Sequence, residues 1–179
     1  MAIRGEKRRG YIMCLLTVLP FIAMVSSSSA LNSEANRATL KGLVGVRVLV
    51  EEVAPEIEKS GLTKNKLEAD VEATLKKAGI KVLTQEEVLK TPGEPYLYVN
   101  INAAAGKMKS DLYSYSIDIA LIQNVALERD PKAYTYAITW STGGVGLTEK
   151  ESLNQLGESL LNIVDVFIEA HQSVNKSKK

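Results

Sequence analysis

The chain is 179 residues long, has a formal net charge of +1 and contains one cysteine and one histidine. This length allows one domain and a short appendage, since domains commonly span roughly 100–200 residues. The near-neutral charge does not favour binding to a nucleic acid or to an anionic membrane. Because Cys14 lies close to the N-terminus, the rest of the chain cannot use a disulfide, a thiolate metal ligand or a cysteine nucleophile.

The first 30 residues have the three parts of a secretory signal peptide. A basic start at residues 4–9 precedes an apolar run at residues 11–25, and Ser28-Ser29-Ala30 provides a cleavage signature. We predict cleavage after Ala30 and a periplasmic or secreted location. An uncleaved membrane anchor is the alternative, but the run is shorter than the roughly 20 residues of a spanning helix and contains Pro20.

The predicted domain boundaries follow from this cleavage. We expect a flexible lead-in over residues 31–41, a single α+β domain over residues 42–174 and a disordered basic tail over residues 175–179. Removing the signal takes four basic residues and one acidic residue from totals of 22 and 21, which leaves 18 and 20 and a formal charge of −2.

The first half of the domain is predicted to form a β-α-β unit. Alternating valines indicate a strand within residues 43–53, and residues 80–83 form a short second strand. The helix between them, at about residues 64–78, is capped by Thr63 and ends at Gly79.

One or two further helical turns follow the second strand. Thr84 and Glu87 have the spacing of a capping box, which predicts that a short helix begins there.

Three consecutive strands are predicted next, over residues 96–104, 112–128 and 133–142, and each shows period-two alternation. A turn at residues 106–110 pairs residues whose numbers sum to about 216, and a turn at 129–132 pairs those that sum to about 261. Both registers bring apolar residues opposite apolar residues, which predicts an antiparallel meander.

A C-terminal helix closes the chain. Thr148 and Glu151 suggest a capping box, and a stripe of apolar residues from Leu153 to Phe167 extends over about five turns. The complete fold is therefore predicted as a two-layer α+β sandwich with the helices on one face of the sheet.

Three Tyr-x-Tyr pairs are the most distinctive motif of the sequence. The pairs at 113/115 and 134/136 are expected, together with Trp140, on the helix-covered face as core or core-rim residues. Tyr96 and Tyr98 fall on the opposite face, where the predicted register sets Tyr98 across from Asp118.

This uncovered face is the candidate binding site for a ligand or partner, with an ordinary solvated sheet surface as the alternative. The candidate residues combine rings, an amide, a hydroxyl and a carboxylate: Tyr96, Tyr98, Asn100, Ser116 and Asp118.

Two other features could carry chemistry, but their surroundings argue against it. Residues 143–146 are glycine-rich, yet no P-loop Lys-Ser/Thr follows and Glu149 would repel an anion, so a flexible turn is the better interpretation. His171 has no neighbouring nucleophile or metal-ligand spacing in the sequence and is interpreted as a residue at the core margin. We predict no catalytic residue, no metal ligand and no cofactor.

Three stretches carry a resemblance to known proteins: residues 75–82 (LKKAGIKV), residues 139–141 (TWS) and residues 164–170 (VDVFIEA). Together they resemble exported bacterial proteins of unassigned function. The resemblance implies export and a compact domain over about residues 42–175, and it assigns no functional residue.

The leading hypothesis is a non-enzymatic, exported binding or assembly domain whose partner is an envelope protein, a peptide or a glycan. One alternative is an extracytoplasmic hydrolase with a site assembled from distant residues such as His171, Asp118 and a serine. Another is a carrier that holds a small apolar ligand between the sheet and the helices near Trp140, Tyr115 and Leu160.

Overall fold

A computed structural model describes residues 26–106 and 111–175, without the side chains of residues 26–30. It confirms the predicted α+β class: one sheet is covered on one face by helices, and the longest helix is C-terminal. In chain order the elements are β1 (Ser26–Leu31), α1 (Glu34–Ala38), β2 (Arg47–Val50), α2 (Pro55–Lys59), α3 (Lys64–Lys77), α4 (Gln85–Val88), β3 (Tyr96–Ala105), β4 (Leu112–Leu127), β5 (Asp130–Glu149), a 3-10 helix (Lys150–Gln155) and α5 (Leu156–Asn175).

The sheet is mixed and has the strand order β1-β5-β4-β3-β2. Strands β3, β4 and β5 form the predicted antiparallel meander. Strand β2 lies parallel to β3, and the connection between them contains α2, α3 and α4. The predicted strand at residues 80–83 contributes only an isolated parallel bridge, between Val46 and Val82.

The core lies between the sheet and the helices α3 and α5. Every second residue of β3 enters it, so Leu97, Val99 and Ile101 are at most 1% exposed. Helix α5 contributes Phe167, whose ring meets the Trp140 ring edge-on with the centroids 5.3 Å apart. The apolar stripe of the sequence is therefore the buried side of α5.

The predicted helix signals of the first half are confirmed. The Thr63 hydroxyl accepts a hydrogen bond from the Lys66 amide at 3.3 Å, and Gly79 ends α3 with a φ of +80°. Thr84 and Glu87 form a complete capping box at the start of α4. A side chain that binds a free backbone N–H in the first turn is the usual way in which a helix start is stabilised.

The end of β5 differs from the prediction. Residues 143–146 are not a flexible turn but part of the strand, and Gly143 and Gly144 pair with Asp118 and Ile117 of β4. A Cβ at Gly143 would lie 2.5 Å from the Ile117 carbonyl oxygen, so the glycine permits a close approach of the two strands.

The predicted capping box of Thr148 and Glu151 is also wrong, because β5 continues further than the sequence predicts. Thr148 still belongs to β5, Glu149 occupies the N-cap position without a side-chain hydrogen bond, and a 3-10 helix precedes α5.

The N-terminal part of the domain is also structured. In the predicted lead-in, Ser33 caps the short helix α1 and Leu40 is fully buried. Of the predicted signal peptide, residues 1–25 lie outside the described residues, while β1 pairs with β5 at the sheet edge. Most of the predicted tail, residues 176–179, also lies outside them. Cleavage after Ala30 stays a prediction.

Candidate functional site

The five candidate residues lie together on the sheet surface that the helices leave uncovered, which we call the open face. Tyr96, Tyr98, Asn100 and Ser116 are half-buried there and Asp118 is exposed, while the residues between them point into the core. Alternation along β3 and β4 explains this arrangement, since successive side chains of a strand point to opposite faces.

The register between β3 and β4 differs from the prediction by two residues. Asp118 lies opposite Asn100, and Tyr98 lies opposite Ala120, so the predicted pairing of Tyr98 with Asp118 is wrong. The shift is an even number, and therefore no side chain changes face. Asp118 remains close enough to raise the pKa of Tyr98, although it is the smallest of the contributions.

The Tyr98 hydroxyl donates a hydrogen bond to the Glu51 carboxylate, which follows β2. This bond is the main reason why the pKa of Tyr98 is raised, and burial adds to it. Glu51 is itself positioned by its backbone, since its N–H donates to the Val99 carbonyl at 2.9 Å. The parallel pairing of β2 with β3 thus brings a carboxylate beside Tyr98 at the β2 edge of the open face.

A β-bulge in β5 adds further aromatic residues to this face. Leu121 pairs with Trp140 but Ile122 pairs with Ile138, so Thr139 is an extra residue and the strand changes phase there. The predicted core position of residues 134 and 136 is therefore wrong: Tyr134, Tyr136 and Ile138 are 68%, 53% and 51% exposed.

The Tyr136 ring meets Tyr96 in a T-shaped contact, with the centroids 6.4 Å apart. Its hydroxyl donates to Glu94, which raises the pKa of Tyr136, and Gln85 donates to the Tyr96 hydroxyl at 3.4 Å. Sequence reasoning missed Glu51, Glu94 and Tyr136 as members of the site. No local pattern connects them, because the contacts depend on the bulge and on the β2–β3 pairing.

At the opposite end of the open face the side chains are small. They leave a shallow groove of about 670 Å³ along β3, β4 and β5. Small or polar residues line its floor and two exposed apolar residues line one side: Asn102, Ala104, Ser114, Ser116, Val145 and Leu147. The open face is thus divided into an aromatic end around Tyr96 and a grooved end around Ser116.

The charges around the aromatic end are predominantly negative. Glu51, Glu94 and Asp118 contribute three carboxylates, and the first two each accept a hydrogen bond from a tyrosine hydroxyl. Arg47 on the edge strand β2 lies 3.9 Å from Glu68 of α3, so its charge is partly balanced by the helix. The aromatic end therefore combines π surfaces with negative potential, an environment that favours cations.

The other two tyrosines confirm the core interpretation. Tyr113 is 9% exposed, and the half-buried Tyr115 lies over Gly146, where a Cβ would come within 2.6 Å of its hydroxyl oxygen. Gly146 therefore leaves room for the Tyr115 ring of the neighbouring strand, and it is not part of a turn.

His171 lies on the helix side of the sheet. Its ring centroid is 6.3 Å from that of Phe167, and both of its ring nitrogens are buried without a hydrogen-bond partner of good geometry. Burial lowers the pKa of His171, opposed in part by the backbone of Leu43. Because Asp118 points away from the helices, the sheet separates these two residues and they do not form a joint site.

Within residues 26–106 and 111–175, no three His, Cys, Asp or Glu side chains are grouped in a way that could hold a metal ion. In the same ranges, no helix combines the length and the apolar character needed to cross a membrane. Comparison of the chain with protein-family models, curated proteins and solved structures gave no match.

Proposed function

We propose that this chain is a non-enzymatic, exported binding or assembly domain that holds a segment of a partner protein against the open face. The single observation that supports this proposal is the composition of that face. Four tyrosine rings, two amides and three carboxylates share a sheet surface that the helices leave free. Exposed aromatic residues are enriched at protein interfaces, where their rings provide contact area at low entropic cost.

The chemistry of the aromatic end favours a partner segment with Lys or Arg side chains. The Tyr98 and Tyr136 hydroxyls already donate to carboxylates, so these rings offer mainly their π faces to a ligand. A guanidinium or ammonium group can contact such a face and the neighbouring carboxylate at the same time. A neutral glycan would instead need free hydrogen-bond donors and acceptors, and the paired hydroxyls supply few.

Binding of defined ligands to the exported domain tests this preference. We would follow backbone amide shifts by NMR during titration with tri-arginine and, separately, with a neutral chito-oligosaccharide. We expect shifts for tri-arginine at residues 96–100 and 136–138 and at Asp118, and we expect them to weaken at high salt because exposed charges are screened.

Matched variants make the experiment specific. Asp118→Asn should weaken the tri-arginine response, whereas Asp70→Asn, which removes an exposed carboxylate of α3 that is paired with Lys66, should not. An unchanged response in Asp118→Asn, or a response only to the oligosaccharide, would contradict the proposed partner chemistry. Shifts confined to the helix side would contradict the open face as the site.

A capture experiment then addresses the natural partner. The tagged domain and its Tyr98→Ala/Asp118→Ala variant are incubated with envelope extract, and the bound proteins are identified by mass spectrometry. We expect a protein that is retained by the wild type and lost from the variant. The same set of proteins on both would argue against the open face.

The alternatives receive less support. A hydrolytic site that uses both His171 and Asp118 would require groups on opposite sides of the sheet to meet. A carrier of an apolar ligand would require space near Trp140 and Leu160, but both side chains are 0% exposed and Trp140 packs edge-on against Phe167.

A further inference from the structure

The edge of β5 is covered by a strand that the sequence predicts to be removed. Strand β1 pairs with β5 through the residue pairs Ser26–Val145, Ser27–Gly144, Ser28–Gly143 and Leu31–Ser141. Cleavage after Ala30 would leave Leu31 as the only residue of β1. The backbone N–H and C=O groups that β1 satisfies on β5 would then need another partner.

The uncovered segment, residues 142–148 (TGGVGLT), lacks the features by which sheet edges usually avoid pairing with other chains. It contains no charged residue and no proline. By contrast, the other sheet edge is the strand β2, which is only four residues long. The start of β5 is protected by Asp130, Pro131 and Lys132.

The middle of β5 remains covered after cleavage. The Asn36 side-chain amide donates to the Thr139 carbonyl at 3.0 Å, and Asn32 accepts from the Trp140 indole at 2.9 Å. Both asparagines follow the predicted cleavage site. Cleavage would therefore uncover the β5 edge beyond Ser141, in residues 142–148, while Leu31 would still pair with Ser141.

We infer that the mature chain forms a homodimer in which this segment of β5 pairs antiparallel with the same segment of a second copy. The inference rests on the cleavable signal of the proposed function. The uncovered edge is self-complementary. A twofold axis near Val145 places Val145 of one copy opposite Val145 of the other, and Leu147 of each copy opposite Gly143 of the other. Val145 and Leu147 are 52% and 61% exposed, so the pairing would also bury apolar surface.

The symmetry of such a dimer determines where the two open faces lie. A twofold axis between antiparallel strands is perpendicular to the sheet, so both open faces are on the same side and both helix layers on the other. The dimer therefore presents one continuous sheet surface with two copies of the aromatic end. A partner with two cationic segments could bind both copies at once.

The experiment uses the full chain, expressed in a bacterial host and purified from the exported fraction. Intact-mass spectrometry identifies the N-terminus, and light scattering coupled to size exclusion gives the molar mass over a range of concentrations. We expect a chain that begins at Leu31 and has twice the monomer mass, with a decrease toward the monomer on dilution. A chain that begins at Ser26 retains β1 and should be monomeric.

Two substitutions at Val145 test the contact. Val145→Lys places two like charges at the twofold axis and should yield a monomer, while Val145→Thr, which keeps a β-branched side chain without charge, should remain a dimer. Far-UV circular dichroism verifies that both variants are folded.

The possible outcomes separate the two proposals. A cleaved chain that is monomeric at every concentration, or a dimer that Val145→Lys leaves unchanged, would overturn the homodimer but not the export. A purified protein that still carries residues 1–30 would refute the cleavage itself and, with it, the uncovered edge.

Discussion

Asn32 connects the N-terminal segment of the domain to its core, and its replacement by alanine tests whether that connection stabilises the fold. The Asn32 side-chain oxygen accepts a hydrogen bond from the Trp140 indole N–H at 2.9 Å and another from the Arg37 guanidinium at 2.8 Å. Trp140 is 0% exposed, so its N–H cannot turn to water when the acceptor is removed. A flexible lead-in at residues 31–41 would instead predict no effect.

The magnitude follows from the two donors. An unsatisfied buried N–H costs about 1–3 kcal/mol, whereas the partly exposed Arg37 can be hydrated and should contribute little. We therefore expect Asn32→Ala to lower the free energy of unfolding by about 1–3 kcal/mol. With a denaturant slope of about 1–3 kcal/mol per molar urea, the midpoint should fall by roughly 1 M.

The assay is equilibrium urea unfolding followed by tryptophan fluorescence, because Trp140 is the single tryptophan of the chain. Asn32→Asp keeps the acceptor and should retain most of the stability. Asn154→Ala replaces an exposed asparagine of the 3-10 helix and should change the free energy by less than about 0.5 kcal/mol. A change equally small for Asn32→Ala would refute the role of this hydrogen bond.

Three further predictions concern packing, capping and ionisation. Leu160→Ala should lower the free energy of unfolding by about 2–5 kcal/mol in the same urea assay because the side chain is fully buried, while Leu112→Ala, at a position that is 41% exposed, should have little effect. Thr84→Ala removes one half of the α4 capping box and should cost about 0.5–2 kcal/mol. The pKa of Tyr98 is raised in the folded state, so folding favours the protonated hydroxyl. The contribution of Tyr98 to the free energy of unfolding is therefore complete below the ordinary tyrosine pKa and is lost as the pH rises through the raised pKa. Glu51→Gln should move this pKa back toward the ordinary value, which NMR of the Tyr98 ring carbons can follow.

Each of these predictions can fail in a recognisable way. Equal midpoints for Leu160→Ala and Leu112→Ala would contradict the assigned core, and an unaltered midpoint for Thr84→Ala would show that α4 does not limit stability. A Tyr98 titration that is the same with and without the Glu51 carboxylate would show that their hydrogen bond does not form in solution.

Alternation along the strands was sufficient to predict the two faces of β3 and β4. The predicted β4–β5 register, in which the numbers of paired residues sum to about 261, is confirmed for residues 112–121 of β4. Leu112 pairs with Glu149, and Leu121 pairs with Trp140. The β3–β4 register was wrong by two residues, but the faces survived because the error was even. Tyr96, Tyr98 and Asp118 were therefore placed on the correct surface even though their pairing was not.

The bulge at Thr139 could not be predicted from alternation. Ile138 and Trp140 are both apolar and two residues apart, so the sequence has the pattern of one continuous strand face. In the structure Trp140 points into the core and Ile138 points to the open face. The exposed aromatic residues before the bulge therefore have the same sequence pattern as buried ones. An exposed surface that is itself apolar removes the polar–apolar contrast by which period-two alternation separates the two faces of a strand.

The glycines of β5 misled the prediction for a different reason. Glycine is rare in strands, and a glycine-rich segment before a helix is typical of a turn. Here the adjacent strand determines the outcome, because Gly143 and Gly146 make room for the Ile117 backbone and the Tyr115 ring. Such contacts between strands are tertiary information that a single segment does not contain.

The parallel position of β2 has a consequence for folding kinetics. Strands β3, β4 and β5 are connected by short loops, whereas β2 reaches β3 only after a long crossover that includes three helices. Loop closure over a longer distance costs more entropy and slows folding, so we expect the hairpins to form first and β2 to dock last. Because β2 is a four-residue edge strand, native-state hydrogen exchange should also show it opening at a lower free energy than the meander. Each such opening would separate Glu51 from Tyr98 and transiently disassemble the aromatic end of the open face.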